Sequence, residues 1–197
     1  MLYYYQSRNK PYCVVGTNIR CVEIGLKKLI NEEGIIEDSE RGQVKELLNV
    51  VSIIKNPFPT NHPYWKGDKL DKYIDQFFKD NTQGFIYTYG ERLLMDNQYD
   101  YVVNKLKENP NTRRAVMVLY RPEIDTKLDD IPCMNHVQFQ IRNNMLFTTV
   151  LFRSHDIEAY YPNMCALSEV AKYIAGKTST KIGEFRVYSN NLHSYLR

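Results

Sequence analysis

The chain has 197 residues, of which 43% are hydrophobic and 25% charged, with a formal net charge of +3. These values fit one globular domain with a sizeable core, and no apolar run is long enough to span a bilayer. The mild charge does not by itself argue for nucleic-acid binding, which usually brings a clustered basic face. Met1 to Gln6 lacks the basic region and long apolar core of a signal peptide, so the cytoplasm is the expected location. The cysteines are Cys13, Cys21, Cys133 and Cys165, and none is paired at Cys-x-x-Cys spacing. No histidine or cysteine cluster has metal-ligand spacing, and no metal is expected. Cys13 and Cys165 read as buried packing residues, and His62 and His136 as structural.

In chain order, Tyr12 to Val22 reads as a strand interrupted at Gly16. Ile24 to Asn31 is a short amphipathic helix ended by a Glu-Glu-Gly turn. Gln43 to Ile54 reads as a helix with Val44, Leu47, Leu48 and Val51 on one face. Pro57 and Pro59 end it, and a loop covers residues 56–67. Asp68 to Lys79 is a helix capped by Asp68, and Gln98 to Glu108 a helix closed by Asn109-Pro110. Ala115 to Tyr120 is a strand. His136 to Arg142 alternates with Val137, Phe139 and Ile141 on one face, Asn143-Asn144 signals a turn, and Met145 to Phe152 returns. Asn163 to Ala175 is a core helix stopped by Gly176, and Glu184 to Leu196 is extended. A hairpin with segregated helices, and no repeat or linker, argues a single α+β domain over residues 1–197.

The hairpin carries the chemistry. Its return strand brings Arg153 to the end where Cys133 lies. A cysteine beside a guanidinium is expected to have a lowered pKa and more thiolate. The arginine fork also suits a phosphate. Glu46 sits among Val44, Leu47 and Leu48 at the edge of a buried face, where a carboxylate can handle protons. His193 and Tyr195 alternate along an extended segment and face the same side.

Ile131-Pro132-Cys133, Gln138-Phe139, Arg153-Ser154-His155-Asp156, Pro162 and Asn191-Leu192-His193-Ser194-Tyr195 form an ordered set. Upstream lie Glu46-Leu47-Leu48, Tyr89-Gly90 and Arg113-Arg114. The set resembles the thymidylate synthase superfamily, which includes the pyrimidine nucleotide hydroxymethylases. The resemblance is strongest from Arg113 to Asp156 and weak before Glu46. It implies a large twisted mixed sheet with helices on one face, and a homodimer that pairs sheet to sheet. It implies Cys133 as nucleophile, Glu46 organising protons and water, Tyr89 supporting the cysteine's surroundings, and Asp156 holding the pterin of 5,10-methylenetetrahydrofolate. It implies a phosphate clamp of Arg153, Ser154 and Arg8, with Arg20 the competitor of Arg8, and with Arg113 and Arg114 contributed by the partner subunit. Gln138 is placed near the nucleophile, and His193 and Tyr195 on a ribose hydroxyl.

The chain also departs from that family. The family's base-reading asparagine falls on Met164, with Asn163 adjacent. The histidine after the nucleophile is Met134, and the tryptophan over the folate falls on Ile74. The sequence stops at Arg197, where the resemblance implies a missing C-terminal extension. The expected activity is C5 one-carbon transfer, by hydroxymethylation or methylation, to a pyrimidine nucleoside 5′-monophosphate. The alternative is a nucleotide-binding relative without full turnover.

Overall fold

The computed structural model describes residues 3–5, 12–80 and 84–196. Among them nine strands form one mixed sheet. In chain order these are β1 (Tyr3–Tyr5), β2 (Tyr12–Asn18), β3 (Ile35–Ser39), β4 (Gly42–Asn56), β5 (Val116–Val118), β6 (Met134–Arg142), β7 (Met145–Phe152), β8 (His155–Asp156) and β9 (Lys181–Tyr195). The spatial order is β1-β2-β4-β9-β7-β6-β5, with β3 added to β4 and β8 to β9. The helices are α1 (Ile19–Glu33), α2 (Asp68–Asp75), α3 (Tyr89–Leu94), α4 (Gln98–Glu108), α5 (Pro122–Asp125) and α6 (Ile157–Thr178).

One row of side chains shows how the sheet is built. Val14, Ser52, Val187, Val150, Val137 and Met117 are successive neighbours across β2, β4, β9, β7, β6 and β5. All six are buried, because residues of one parity share a face and this face meets α1, α4 and α6. The one hydroxyl in the row, on Ser52, is satisfied by the Tyr160 hydroxyl of α6 at 2.7 Å. On the other face Leu48, Val118 and Tyr188 stand exposed. The fold is thus mixed α+β, with a large mixed sheet.

The hairpin β6–β7 runs as its alternation predicts, with Asn143 and Asn144 both at positive φ in the turn. Helix α4 also has its predicted bounds. The segment from Gln43 to Ile54 is not a helix: it lies inside β4, the long strand between β2 and β9. Its buried residues include Val44, Leu47, Val50 and Ile54. Irregular phase along the strand, with Asn49 at φ 57, separates inward residues by three instead of two. That spacing imitates a helical face.

Other boundaries shift for local reasons. Strand β2 ends at Asn18, whose side chain caps α1 by accepting from the Cys21 N–H, so Ile19 to Val22 is helical. Gly67, not Asp68, is the N-cap of α2, and its φ of 53 suits a residue without Cβ. The predicted helix to Lys79 ends at Asp75 and continues as a 3-10 turn over Gln76–Phe78. Helix α6 begins six residues before Asn163 and runs through Gly176 to Thr178.

Loop 57–67 is tied to α1 by a buried charge cluster. Glu23, 1% exposed, meets Arg20 at 2.6 Å, Lys27 at 3.2 Å and His62 Nε2 at 3.3 Å. His62 Nδ1 accepts from the backbone N–H groups of Tyr64 and Trp65. A carboxylate buried this deeply is tolerable only when paired in this way.

Candidate active site

The end of the β6–β7 hairpin assembles the nucleophile. The Arg153 N–H donates to the Cys133 carbonyl at 2.8 Å, closing the hairpin's open end. The guanidinium then staples the loop before the cysteine, donating to the carbonyls of Ile131 at 2.7 Å and Pro132 at 3.1 Å. Its Nη2 lies 3.8 Å from Cys133 Sγ. Arg153 therefore holds the loop's shape and places a positive charge on the sulfur.

Cys133 is nevertheless not a low-pKa thiol in this state. Burial pushes it up, and the Arg153 charge and a hydrogen bond from Tyr87 pull it back only in part. The expected lowering fails because desolvation outweighs the guanidinium, while Asp130 adds a nearby negative charge.

Tyr87 is the neighbour that sequence reasoning missed. Its hydroxyl accepts from the Cys133 N–H at 3.3 Å and also hydrogen-bonds the thiol. Tyr89 sits one contact further out, with its hydroxyl bonded to the Met134 backbone. Burial pushes both phenols up, so both remain protonated donors. Ring contacts at 5.3 to 6.2 Å join Trp65, Tyr73, Phe77, Tyr89 and Tyr87 into an aromatic arc that ends at Cys133. Gly90 makes the arc possible. A Cβ there would stand 1.9 Å from the Gln76 carbonyl oxygen, so only glycine lets α3 lie under the 3-10 turn that carries Phe77. That close approach explains the Tyr-Gly pair, which opens α3.

A second group of polar side chains stands on β4, β8 and β9. Glu46 and His193 are direct cross-strand neighbours, as are Asp156 and His193. Asn191 Nδ2 donates to Glu46 Oε2 at 2.5 Å, and Asn191 Oδ1 lies 3.1 Å from His193 Nδ1. Burial holds the His193 pKa below its ordinary value, against the pull of Asp156 and Glu46, while the Arg153 charge lowers it further. His193 and Tyr195 do share a side, with rings 5.2 Å apart. Asp156 caps α6 by accepting from the Glu158 N–H at 3.0 Å. Half-buried Ser154 lies between Arg153 and His155.

The structure does not gather every predicted residue. Glu46 reaches this group from a strand, not a helix. Gln138 points to the helix-free side and donates to the Arg113 carbonyl at 2.9 Å. Arg113 and Arg114 are exposed, just before β5. Arg20 is engaged with Glu23 and His62. Arg8 lies outside the described residues. Met164 is wholly buried in the core, and Asn163 is 2% exposed. Ile74 packs against the core beside Tyr73. Cys13 is only partly buried, Cys165 fully so. An arginine that no motif singled out does approach: Arg41, in the turn between β3 and β4, pairs with Asp130 at 2.9 Å. Its charge acts on Cys133.

The family model described as thymidylate synthase matches residues 59–197. A protein named "Putative thymidylate synthase" from Methanosarcina barkeri is 38% identical over 180 residues, covering 87% of this chain and 83% of its own length. Proteins with the same name from Methanothermobacter marburgensis and Methanopyrus kandleri are 35% and 29% identical. These cover 86% and 96% of this chain, and 86% and 95% of their own lengths. With a family match over most of its length and relatives that align nearly end to end, the chain belongs to the thymidylate synthase family.

Proposed function

We propose that the protein transfers a one-carbon unit to C5 of a pyrimidine nucleoside 5′-monophosphate through an adduct of Cys133 at C6. The observation that carries this reading is Cys133 Sγ held between a guanidinium and a phenol hydroxyl, with Asp156, His193 and Glu46 on neighbouring strands. A pyrimidine C5 is a poor nucleophile. Addition of the Cys133 thiolate at C6 makes C5 enolate-like and able to attack an electrophilic carbon.

The remaining residues have positional and protonic roles. Arg153, Ser154 and Arg41, with Arg8, hold the 5′-phosphate and keep C6 near the sulfur. His193 and Tyr195 meet the ribose. Glu46, linked through Asn191 to His193, directs protons and water near the base. Tyr87 and Tyr89 set the nucleophile's surroundings. The aromatic arc and the Asp156 oxygen not used in capping fit a pterin ring. When bound, 5,10-methylenetetrahydrofolate would supply the one-carbon unit. A second copy would dock on the exposed sheet face that carries Leu48, Val118 and Tyr188, and Arg113 and Arg114 would then reach the partner's phosphate site.

Methylation and hydroxymethylation begin with the same adduct. Release of tritium from C5-labelled dUMP, UMP, dCMP or CMP reports that adduct directly. Release is expected from at least one nucleotide, with loss in Cys133→Ser and retained nucleotide affinity in that variant. Exchange by Cys133→Ser at the normal rate would remove the nucleophile assignment. Tight nucleotide binding with no exchange under any condition, folate included, would instead support a binding relative without turnover.

A further inference from the structure

We propose that Tyr73 reads the edge of the pyrimidine base through a hydrogen-bond chain, Tyr73–Asn163–His155–Ser189, whose direction can reverse, so that uracil and cytosine are both accepted. The inference rests on the functional reading above. Tyr73 Oη lies 2.7 Å from Asn163 Oδ1, Asn163 Nδ2 lies 3.5 Å from His155 Nε2, and His155 Nδ1 lies 3.0 Å from Ser189 Oγ. Asn163, His155 and Ser189 are 2%, 1% and 4% exposed. Tyr73 is half-buried as a residue, with its hydroxyl at the inner end, and it stands on the aromatic arc that leads to Cys133. Burial pushes its hydroxyl's pKa up, and the charges of Asp156 and Cys133 push it the same way.

The chemistry of the four groups permits two consistent arrangements. His155 is buried and stacked on Phe152, and burial with the nearby His193 lowers its pKa to about 3. It is therefore neutral, with one ring nitrogen a donor and the other an acceptor. In the first arrangement Tyr73 donates to Asn163 Oδ1, Asn163 Nδ2 donates to His155 Nε2, and His155 Nδ1–H donates to Ser189. The Tyr73 oxygen then offers an acceptor to the base. In the second, Ser189 donates to His155 Nδ1, His155 Nε2–H donates to the Asn163 oxygen, and the turned amide donates to Tyr73. The Tyr73 proton is then free for the base. Each of the four side chains keeps at least one hydrogen-bond partner in both arrangements.

Uracil and cytosine have opposite polarity at N3 and again at position 4. A reader of fixed polarity rejects one of them by leaving a buried group unpaired, whereas a reversible reader turns over and keeps both. Met164, next to Asn163, is fully buried and offers no competing strong hydrogen bond.

The test uses the full-length Cys133→Ser protein labelled with 15N-histidine, titrated with dUMP and with dCMP. The two complexes should show opposite His155 tautomers by their ring-nitrogen shifts. Affinities for the two nucleotides should lie within about tenfold, against the 10⁴-fold or more of a fixed hydrogen-bonding site. Tyr73→Phe keeps the ring and its packing but cuts the link, so both complexes should then share one tautomer. The same His155 tautomer with both nucleotides, or a tautomer difference that survives Tyr73→Phe, overturns this inference alone. Failure of every pyrimidine monophosphate to bind overturns the functional reading as well.

Discussion

Burial pushes the Cys133 thiol up, and the Arg153 charge and the Tyr87 hydrogen bond oppose it. The two differ in kind. Arg153 also staples the loop through two carbonyls, so its removal disturbs shape and charge together. Tyr87→Phe removes the donor to the sulfur and the acceptor of the Cys133 N–H, and leaves the ring and the loop staple. Alkylation of Cys133 by iodoacetamide at pH 8 should slow by about three- to tenfold, since one pKa unit is about tenfold in thiolate well below the pKa. Tyr89→Phe should leave the rate within about twofold, because its hydroxyl is bonded to the Met134 backbone and not to the sulfur. Equal slowing in both variants would assign the effect to packing. Cys133 and Arg153 are legible in sequence because one hairpin with an Asn-Asn turn fixes their pairing. Tyr87 is not, because 46 residues separate it from Cys133 and only the docking of α3 brings them together.

The elements were readable where their period was undisturbed. Strand β7 and α4 follow their patterns to the residue and β6 starts two residues early at Met134, while β4 reads as a helix because its phase slips near Asn49. Glu46 shows that a motif can be placed on the wrong element and still arrive beside His193. Glycines separate the functional from the tolerant places along the chain. Gly90→Ala would drive a Cβ into the Gln76 and Lys79 carbonyls, and α3 would have to move away from the 3-10 turn. It should lower stability by about 1–3 kcal/mol or more in urea titrations, and should weaken nucleotide binding by displacing the arc. Gly176 has nothing within 4 Å of a built Cβ and lies inside α6. Gly176→Ala should raise stability by about 0.5–1 kcal/mol. The reverse order of these two effects would contradict the packing described.

The molecule as a whole carries histidines that the fold keeps neutral. The pKa of His155 is lowered to about 3, and those of His193 and His136 are also lowered, in each case chiefly by burial. The unfolded chain binds these protons below about pH 6.5 while the native state resists them, so stability is full above that pH and falls as pH decreases towards 3. The slope should approach about 1.4 kcal/mol per pH unit for each proton taken up. Urea midpoints at pH 7, 6 and 5 would measure it, and a rise towards acid would contradict it. Assembly is tested by mixing. An Arg114→Ala chain and a Cys133→Ser chain should regain some activity in verified heterodimers, and none in either homodimer, if each site draws on both subunits. The pairing of Arg41 with Asp130 gives the whole molecule one more property. With Arg41 in the proposed phosphate clamp, the incoming nucleotide does not meet a bare cation. It evicts a resident carboxylate, so binding there is ion exchange rather than ion capture. Added salt weakens the old contact as well as the new one. Nucleotide affinity should therefore depend on ionic strength less steeply than the number of arginines suggests. Asp130→Asn should both tighten binding at low salt and restore the steeper dependence.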